Sequence, residues 1–358
     1  MAYRYVDKVY PFNLSPEALD WYLARGWYRM GANIFTTHYL CFQQQLYSAI
    51  WIRLDLRKFA FSKSQRKLMR KNAKQFNHKV GARKFTLEKE LLYNRYAKDF
   101  NGRLSPSLRD NLEDYDEESI FNTYEVSIRD KNNNSLVAAS YFDLGDKSAA
   151  SILGIYEPEF ERFSLGYYSM LLEIAYCLEQ GFDYYYPGYI VPGYKRFDYK
   201  MRIGETDYFD VKSGEWLPLE GFERDMGPAE RQIRSLERLK AAIDNKIEQA
   251  ETLIYPLFEA RLYHAWPDSF LEQPYILLLG NRPTKQGQCV CVIFDPVSEE
   301  YILLLCQSMG DIRYYFSEKY LKSFPDESFL VALLDRSIEL KRTGDPNTLI
   351  EYLFKSIQ

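Results

Sequence analysis

The residues best suited to chemistry in this chain lie between Phe182 and Arg202, in the run F-D-Y-Y-Y-P-G-Y-I-V-P-G-Y-K-R-F-D-Y-K-M-R. Tyr186, Tyr189 and Tyr199 offer rings on which a nucleobase can stack and hydroxyls that can donate hydrogen bonds. A second candidate is Ser164, Leu165 and Gly166, which open a helix whose free backbone N–H groups can receive an anion or a polarised oxygen. The third is a helix starting near Ser62 or Ser64. On it Lys63, Arg66, Lys67, Arg70, Lys71 and Lys74 recur every three or four residues, and the face they form suits a phosphate backbone. Each candidate has an ordinary alternative: most of the 31 tyrosines must pack, a helix start can be merely capped, and a basic face can be merely solvated. Only three histidines occur, His38, His78 and His264, none beside a nucleophile motif, which argues against a Ser-His-Asp or Cys-His enzyme.

Taken with S-Q-R-K-L-M-R-K-N at Ser64–Asn72 and S-L-G-Y-Y-S at Ser164–Ser169, the aromatic run resembles the aminoacyl-tRNA-protein transferases, the N-degron family of arginyltransferases and bacterial leucyltransferases. The family's ending, roughly Y-Y-Y-L-G-Y-Y-I, a spacer and K-M-x-Y-K-x-R-x-R-P, is met by Tyr184, Tyr185, Tyr186, Gly188, Tyr189, Ile190, Lys195, Tyr199, Lys200 and Arg202. Its start, L-x-x-G-W-R-R-x-G, is met by Leu23, Gly26, Trp27, Arg29 and Gly31, with Tyr28 in place of one arginine. The chain departs from the pattern at Ile203 and Gly204, where arginine-proline is usual, and in the cysteine-rich segment, of which only Cys41 remains.

The resemblance implies transfer of an amino acid from aminoacyl-tRNA to the N-terminal amine of proteins beginning with Asp or Glu, marking them for degradation. It puts Tyr199, Lys200 and Tyr189 at the catalytic centre, and Arg29, Arg53, Ser164, Leu165, Gly166, Tyr186, Gly188 and Arg202 on the substrates. It puts Lys63, Ser64, Gln65, Arg66, Lys67, Arg70, Lys71 and Lys74 on the tRNA. No cofactor and no metal are expected. The chemistry suits such a site: the ester of a charged tRNA is already activated, and an acceptor amine of pKa about 8 needs no strong base at neutral pH. What the protein must supply is positioning and a stabilised oxyanion. Two rivals share parts of the pattern: an acyl-CoA-dependent acyltransferase of the GNAT type, whose Q/R-x-x-G-x-G/A loop is absent here, and a noncatalytic RNA-binding relative.

A net charge of −4 argues against indiscriminate nucleic-acid binding, yet twelve Lys/Arg against the single Asp55 between Arg53 and Lys84 localise the positive charge. With 46% apolar and 27% charged residues, no membrane-length apolar run and no signal-peptide core at M-A-Y-R-Y-V-D-K, a soluble cytoplasmic protein is expected. Antiparallel strands followed by a strand, a helix and a strand predict an α/β (α+β) fold. The resemblance makes this tandem GNAT-like units on a mixed, largely antiparallel sheet, at 1–105 and 106–222. A helix capped by Ser15 to Arg25, strands at Trp51–Leu56, Tyr124–Arg129, Leu136–Leu144, Ser148–Tyr156 and Tyr184–Tyr186, and helices at Thr86–Asn101 and Ser164–Glu179 fill those units. Residues 223–358 should hold a long amphipathic helix from Pro228 to His264. Strands near Tyr275–Leu279, Cys289–Asp295 and Tyr301–Gln307, and a helix near Phe329–Arg342, complete a small accessory domain.

Overall fold

The computed structural model describes residues 4–99, 104–113, 119–243, 247, 249–284 and 286–356. Its centre is an eight-stranded sheet in the spatial order Glu215–Pro218, Thr206–Asp210, Ile50–Asp55, Tyr184–Ile190, Ser148–Tyr156, Leu136–Leu144, Thr123–Asp130 and Phe76–Ala82. Neighbours are antiparallel except Ser148–Tyr156 against Tyr184–Ile190. That one parallel pair is joined by the helix Leu165–Glu179, as a parallel connection requires a crossover. The fold class is therefore the mixed, largely antiparallel α/β arrangement expected for a GNAT-type acyltransferase. Ile50–Asp55 and Phe76–Ala82 come from the first expected unit and the other six strands from the second, so both contribute to one continuous sheet.

The strand Leu136–Leu144 is buried at all nine positions. Its two faces lie under different layers. Ala138 and Phe142 belong to the core cluster of the helix Leu165–Glu179, whereas Ala139 and Tyr141 pack with Leu92 and Tyr93 of the helix Leu87–Asp99. An antiparallel strand covered on both sides loses the usual polar alternation, and its sequence L-V-A-A-S-Y-F-D-L reads accordingly.

The parallel pair is hydrogen-bonded over only three registers, Ser148↔Tyr184, Ala149↔Tyr185 and Ala150↔Tyr186. Irregularities then appear in both strands, between Ser151 and Leu153 and between Tyr185 and Gly188, and the pairing stops. Bulges of this kind re-aim side chains and free backbone carbonyls. The segment Lys195–Ile203 follows as a 3-10 helix packed beside this gap. With three residues per turn, adjacent side chains diverge by a third of a turn instead of alternating.

The N-terminal residues build a small antiparallel sheet in the order Val6–Val9, Asn33–Thr37, Tyr28–Met30, beside the helix Pro16–Leu23 that Ser15 caps through the Ala18 amide. The C-terminal part is a five-stranded antiparallel sheet: Ala250–Ile254, Tyr275–Leu279, Gln288–Asp295, Glu300–Ser308 and Leu334–Thr343. Helix Pro228–Ile243 packs on it through Leu236, Leu239 and Ile243. Two sequence expectations fail here. The helical period does not continue to His264, because Ala250–Ile254 is a strand pairing with Tyr275–Leu279, and the expected helix near Phe329–Arg342 is mostly the strand Leu334–Thr343. Its Leu, Glu and Lys favour helix, but pairing with Glu300–Ser308 overrides that weak preference. Asn101 and the acidic residues 114–118 lie outside the described residues.

Candidate active site and basic face

Lys200 sits at the place where the parallel strands part. Its Nζ donates a 3.1 Å hydrogen bond to the Tyr189 carbonyl, which the end of the parallel ladder leaves available, and lies 5.4 Å and 5.3 Å from the ring centroids of Tyr189 and Phe197. Gly188 makes this possible. Its φ is +91°, and a Cβ there would stand 3.0 Å from the Lys200 ammonium. The lysine stem is partly exposed but the ammonium is enclosed, and burial lowers its pKa to about 8. A desolvated cation with one hydrogen bond retains donors for a developing oxyanion.

Tyr199, one residue earlier, turns the other way. The residue as a whole is 39% exposed, yet its hydroxyl is held well above its ordinary pKa, first by desolvation and then by Tyr96, Glu173 and Tyr156. Tyr189 lies against Trp51, with ring centroids 5.0 Å apart, and burial pushes its hydroxyl up to about 12. The 3-10 geometry thus gives the adjacent tyrosine and lysine different neighbours, Tyr96, Glu173 and Tyr156 for the one and Tyr189 and Phe197 for the other.

The helix Leu165–Glu179 begins next to this segment. Ser164 adopts the left-handed conformation, φ 52° and ψ 48°, and its side chain makes no capping bond, so the first amides are not satisfied by it. Leu165 is buried, and Gly166 lies under the Tyr156 ring, where an added Cβ would be 3.4 Å from a ring carbon. Tyr167 donates through its hydroxyl to the Arg202 carbonyl at 2.6 Å, while the Arg202 guanidinium covers the Tyr167 ring at 4.8 Å. Ser164–Gly166 and Lys195–Ile203 are thereby fixed to each other.

The basic helix is Lys63–Gln75, closed by a capping box between Ser62 and Gln65. Lys63, Arg66, Lys67, Arg70, Lys71 and Lys74 are all exposed, and among the described residues none of them is ion-paired. Ser64 is exposed beside them and contacts Ser62 Oγ at 2.9 Å. Gln65 is not on this face. It is 4% exposed, and its Nε2 donates to the carbonyls of Arg202 at 3.1 Å and Ile203 at 2.8 Å. The glutamine is an anchor that docks the basic helix on the segment carrying Tyr199 and Lys200, so it cannot also meet tRNA. Asn72 anchors the other end by donating to the Phe163 carbonyl at 2.9 Å, one residue before Ser164.

Two further expected substrate contacts are interior. Arg29 is 6% exposed, and its guanidinium donates to Asp143 and Thr123, both at 2.8 Å, to the Gly31 carbonyl at 2.7 Å and to the Leu112 carbonyl. It ties the N-terminal strands to the central sheet and presents nothing to a substrate. Tyr186 is 2% exposed, packed edge-on against Trp216 and Tyr28, with Arg53 at its hydroxyl. It cannot stack on a base. Arg53 itself is held between the Tyr184 and Trp216 rings, 4.3 and 4.7 Å from their centroids, and pairs with Asp207 at 3.2 Å. These residues brace the sheet face opposite Tyr185.

Motif spacing does not single out Glu173. It is fully buried on the helix Leu165–Glu179, Tyr185 donates to its Oε2 at 2.7 Å, and desolvation raises its carboxyl to about 7. The signal available was a lone acid in an otherwise apolar stretch, Y-S-M-L-L-E-I-A. His38 is buried and held neutral, its pKa lowered to about 3 by desolvation, which leaves it no part as a base near neutrality. Burial pushes the Cys41 thiol up to about 12. Among the described residues no group of three or more His, Cys, Asp and Glu is placed to hold a metal. With the cysteine-rich segment reduced to Cys41, purified protein should carry no stoichiometric iron or zinc by elemental analysis, and one equivalent lost on Cys41→Ala would reverse that expectation.

The family model described as "Arginine-tRNA-protein transferase, C terminus" matches residues 88–210, which span the central helix, the aromatic strand and the 3-10 segment. Over that stretch the chain is similar to the arginine-tRNA-protein transferases. An aspartate/glutamate leucyltransferase of Leptospira interrogans is 26% identical over 226 residues, covering 60% of this chain and 84% of that relative. One of Campylobacter jejuni is 28% identical over 209 residues, 56% of this chain and 81% of the relative. Among solved structures, FemX aligns over 54% of this chain and 65% of its own at 11% identity with a TM-score of 0.34. The C-terminal domain of a putative lysylphosphatidylglycerol synthetase from Agrobacterium fabrum aligns over 39% and 46%, at 15% identity and a TM-score of 0.33.

Proposed function

We propose that this chain transfers an amino acid, leucine or arginine, from aminoacyl-tRNA to the N-terminal amine of proteins beginning with Asp or Glu, marking them for degradation in the cytoplasm. The observation that carries this reading is the Gln65 junction. Through it the exposed basic helix is bonded directly to the segment bearing Tyr199 and Lys200, so a tRNA held on the one would bring its 3′ end to the other. Lys63, Ser64, Arg66, Lys67, Arg70, Lys71 and Lys74 would meet tRNA phosphates. The Lys200 ammonium and the amides opened by Ser164, Leu165 and Gly166 would stabilise the oxyanion as the amine attacks the ester carbon. Tyr189 and Tyr199 would frame the aminoacyl group, and Arg202 would receive the acceptor's carboxylate.

In this reading the amine's nitrogen bonds the carbonyl carbon, the ester bond to the ribose breaks, and the departing ribose oxygen takes up a proton. No nucleotide hydrolysis is needed. The test is incubation of the purified protein with labelled Leu-tRNA and Arg-tRNA and with peptides beginning with Asp, Glu, Arg or Lys. Label should pass to the Asp and Glu peptides from one of the two tRNAs. Stabilisation by CoA with no transfer from either tRNA would overturn the reading.

A further inference from the structure

Behind the site lies a buried polar cluster on the sheet-facing side of the central helix. Gly166, Ser169, Glu173 and Cys177 recur at three and four residues on Leu165–Glu179 and so share a face. Around Glu173 stand Tyr185 from the strand Tyr184–Ile190, Ser140 from Leu136–Leu144, Ser151 from Ser148–Tyr156, Tyr199 from the 3-10 segment and Cys177 one turn on. Among the described residues the groups acting on its titration are neutral hydroxyls, with no cation. Glu173 Oε1 and Ser140 Oγ are both buried without a hydrogen bond, although the serine is near enough to lower the carboxyl's pKa. An internal carboxyl this poorly compensated is costly to keep, and the residues it touches lead to the site.

We propose that Glu173 is a positioning residue for transfer: as a carboxylate it clamps Tyr185 and fixes the irregular turn that aims Gly188 and Tyr189 at Lys200. The proposal rests on the transferase reading above. Tyr185 is the last residue of its strand in regular register with Ile50–Asp55 before the irregularity that ends at Gly188, so its anchorage sets where the Lys200 cradle begins. A carboxylate accepts the Tyr185 hydrogen bond more strongly than a carboxylic acid does. Protonation of Glu173 weakens that bond. Because burial has brought its titration to about 7, the clamp loosens as pH falls through neutrality rather than in strong acid.

The experiment is single-turnover transfer from charged tRNA to one fixed acceptor peptide, measured from acid to alkaline pH for the wild type and Glu173→Gln. Taking the ratio of the two rates cancels the titration of the acceptor amine and of Lys200. The ratio should be about tenfold above neutrality, in keeping with a hydrogen bond to a charged group, and fall toward one in acid. Tyr185→Phe keeps the packing but removes the donor, so transfer should fall to the level of Glu173→Gln above neutrality and lose its acid limb. That variant decides the matter if Glu173→Gln does not fold. The protonated carboxyl band of the substrate-free protein should titrate near neutrality in the infrared and be absent in Glu173→Gln. A ratio that is flat with pH, or an acid limb retained in Tyr185→Phe, overturns the proposal while transfer itself stands. A wild type that transfers nothing removes the transferase reading, and this proposal with it.

Discussion

Lys200→Ala is expected to lower single-turnover transfer by roughly 30- to 1000-fold, the 2 to 4 kcal/mol typical of one lost oxyanion donor, while leaving the fold intact. The fold should survive because the ammonium makes only the bond to the Tyr189 carbonyl and sits where burial already disfavours its charge. That penalty has a definite sign in pH. Lys200 titrates at about 8 in the folded protein against an ordinary 10.5, so between those values the unfolded chain holds a proton that the folded chain lacks. Stability contributed at this position therefore rises as pH increases from about 8 to 10.5, and the cost of burying the cation is fully present below 8. Lys200→Met should abolish that rise. Transfer should show the opposite trend, falling as Lys200 loses its proton above pH 8. Wild-type turnover by Lys200→Ala, with unchanged pH dependence, would move the lysine from the chemistry to structure.

How much of this was legible in the sequence depends on the range of the interaction concerned. Ser15 before Pro16, the Lys63–Gln75 helix and the hairpin across the Asn tract are local decisions, set by caps, period and turn residues, and they stand where the residues put them. Strands such as Phe76–Ala82 and Leu334–Thr343 are not locally written; each is a strand because a partner supplies its hydrogen bonds. The same division runs through the site. Gly188, Tyr189, Tyr199 and Lys200 are gathered by a single stretch of chain and are legible together. Arg29 and Gln65 carry the polar side chains of substrate-binding residues, but their partners lie 114 and 138 positions away. No reading of local spacing could show that those donors are already satisfied inside the fold. Glu173 is the reverse case, a buried acid whose meaning depends on Tyr185 across the helix–sheet interface.

Arg66→Glu with Arg70→Glu should weaken tRNA binding at least about tenfold at moderate salt and flatten its salt dependence, lowering the slope by about 0.9 for each duplex phosphate that is no longer neutralised. Both side chains lie on the exposed face of Lys63–Gln75, away from Gln65 and Asn72, which hold the helix in place. The variant should therefore fold, and its transfer rate at saturating tRNA should stay near that of the wild type. Gln65→Ala makes the complementary lesion. It leaves every cation on the face but removes the two bonds to the Arg202 and Ile203 carbonyls, so it should spare the salt slope and slow the chemical step. Filter binding across a salt series, paired with single-turnover transfer, separates the two. If charge reversal left both affinity and slope unchanged in a folded protein, the basic face would have no part in holding tRNA, and the Gln65 junction would be no more than a packing contact.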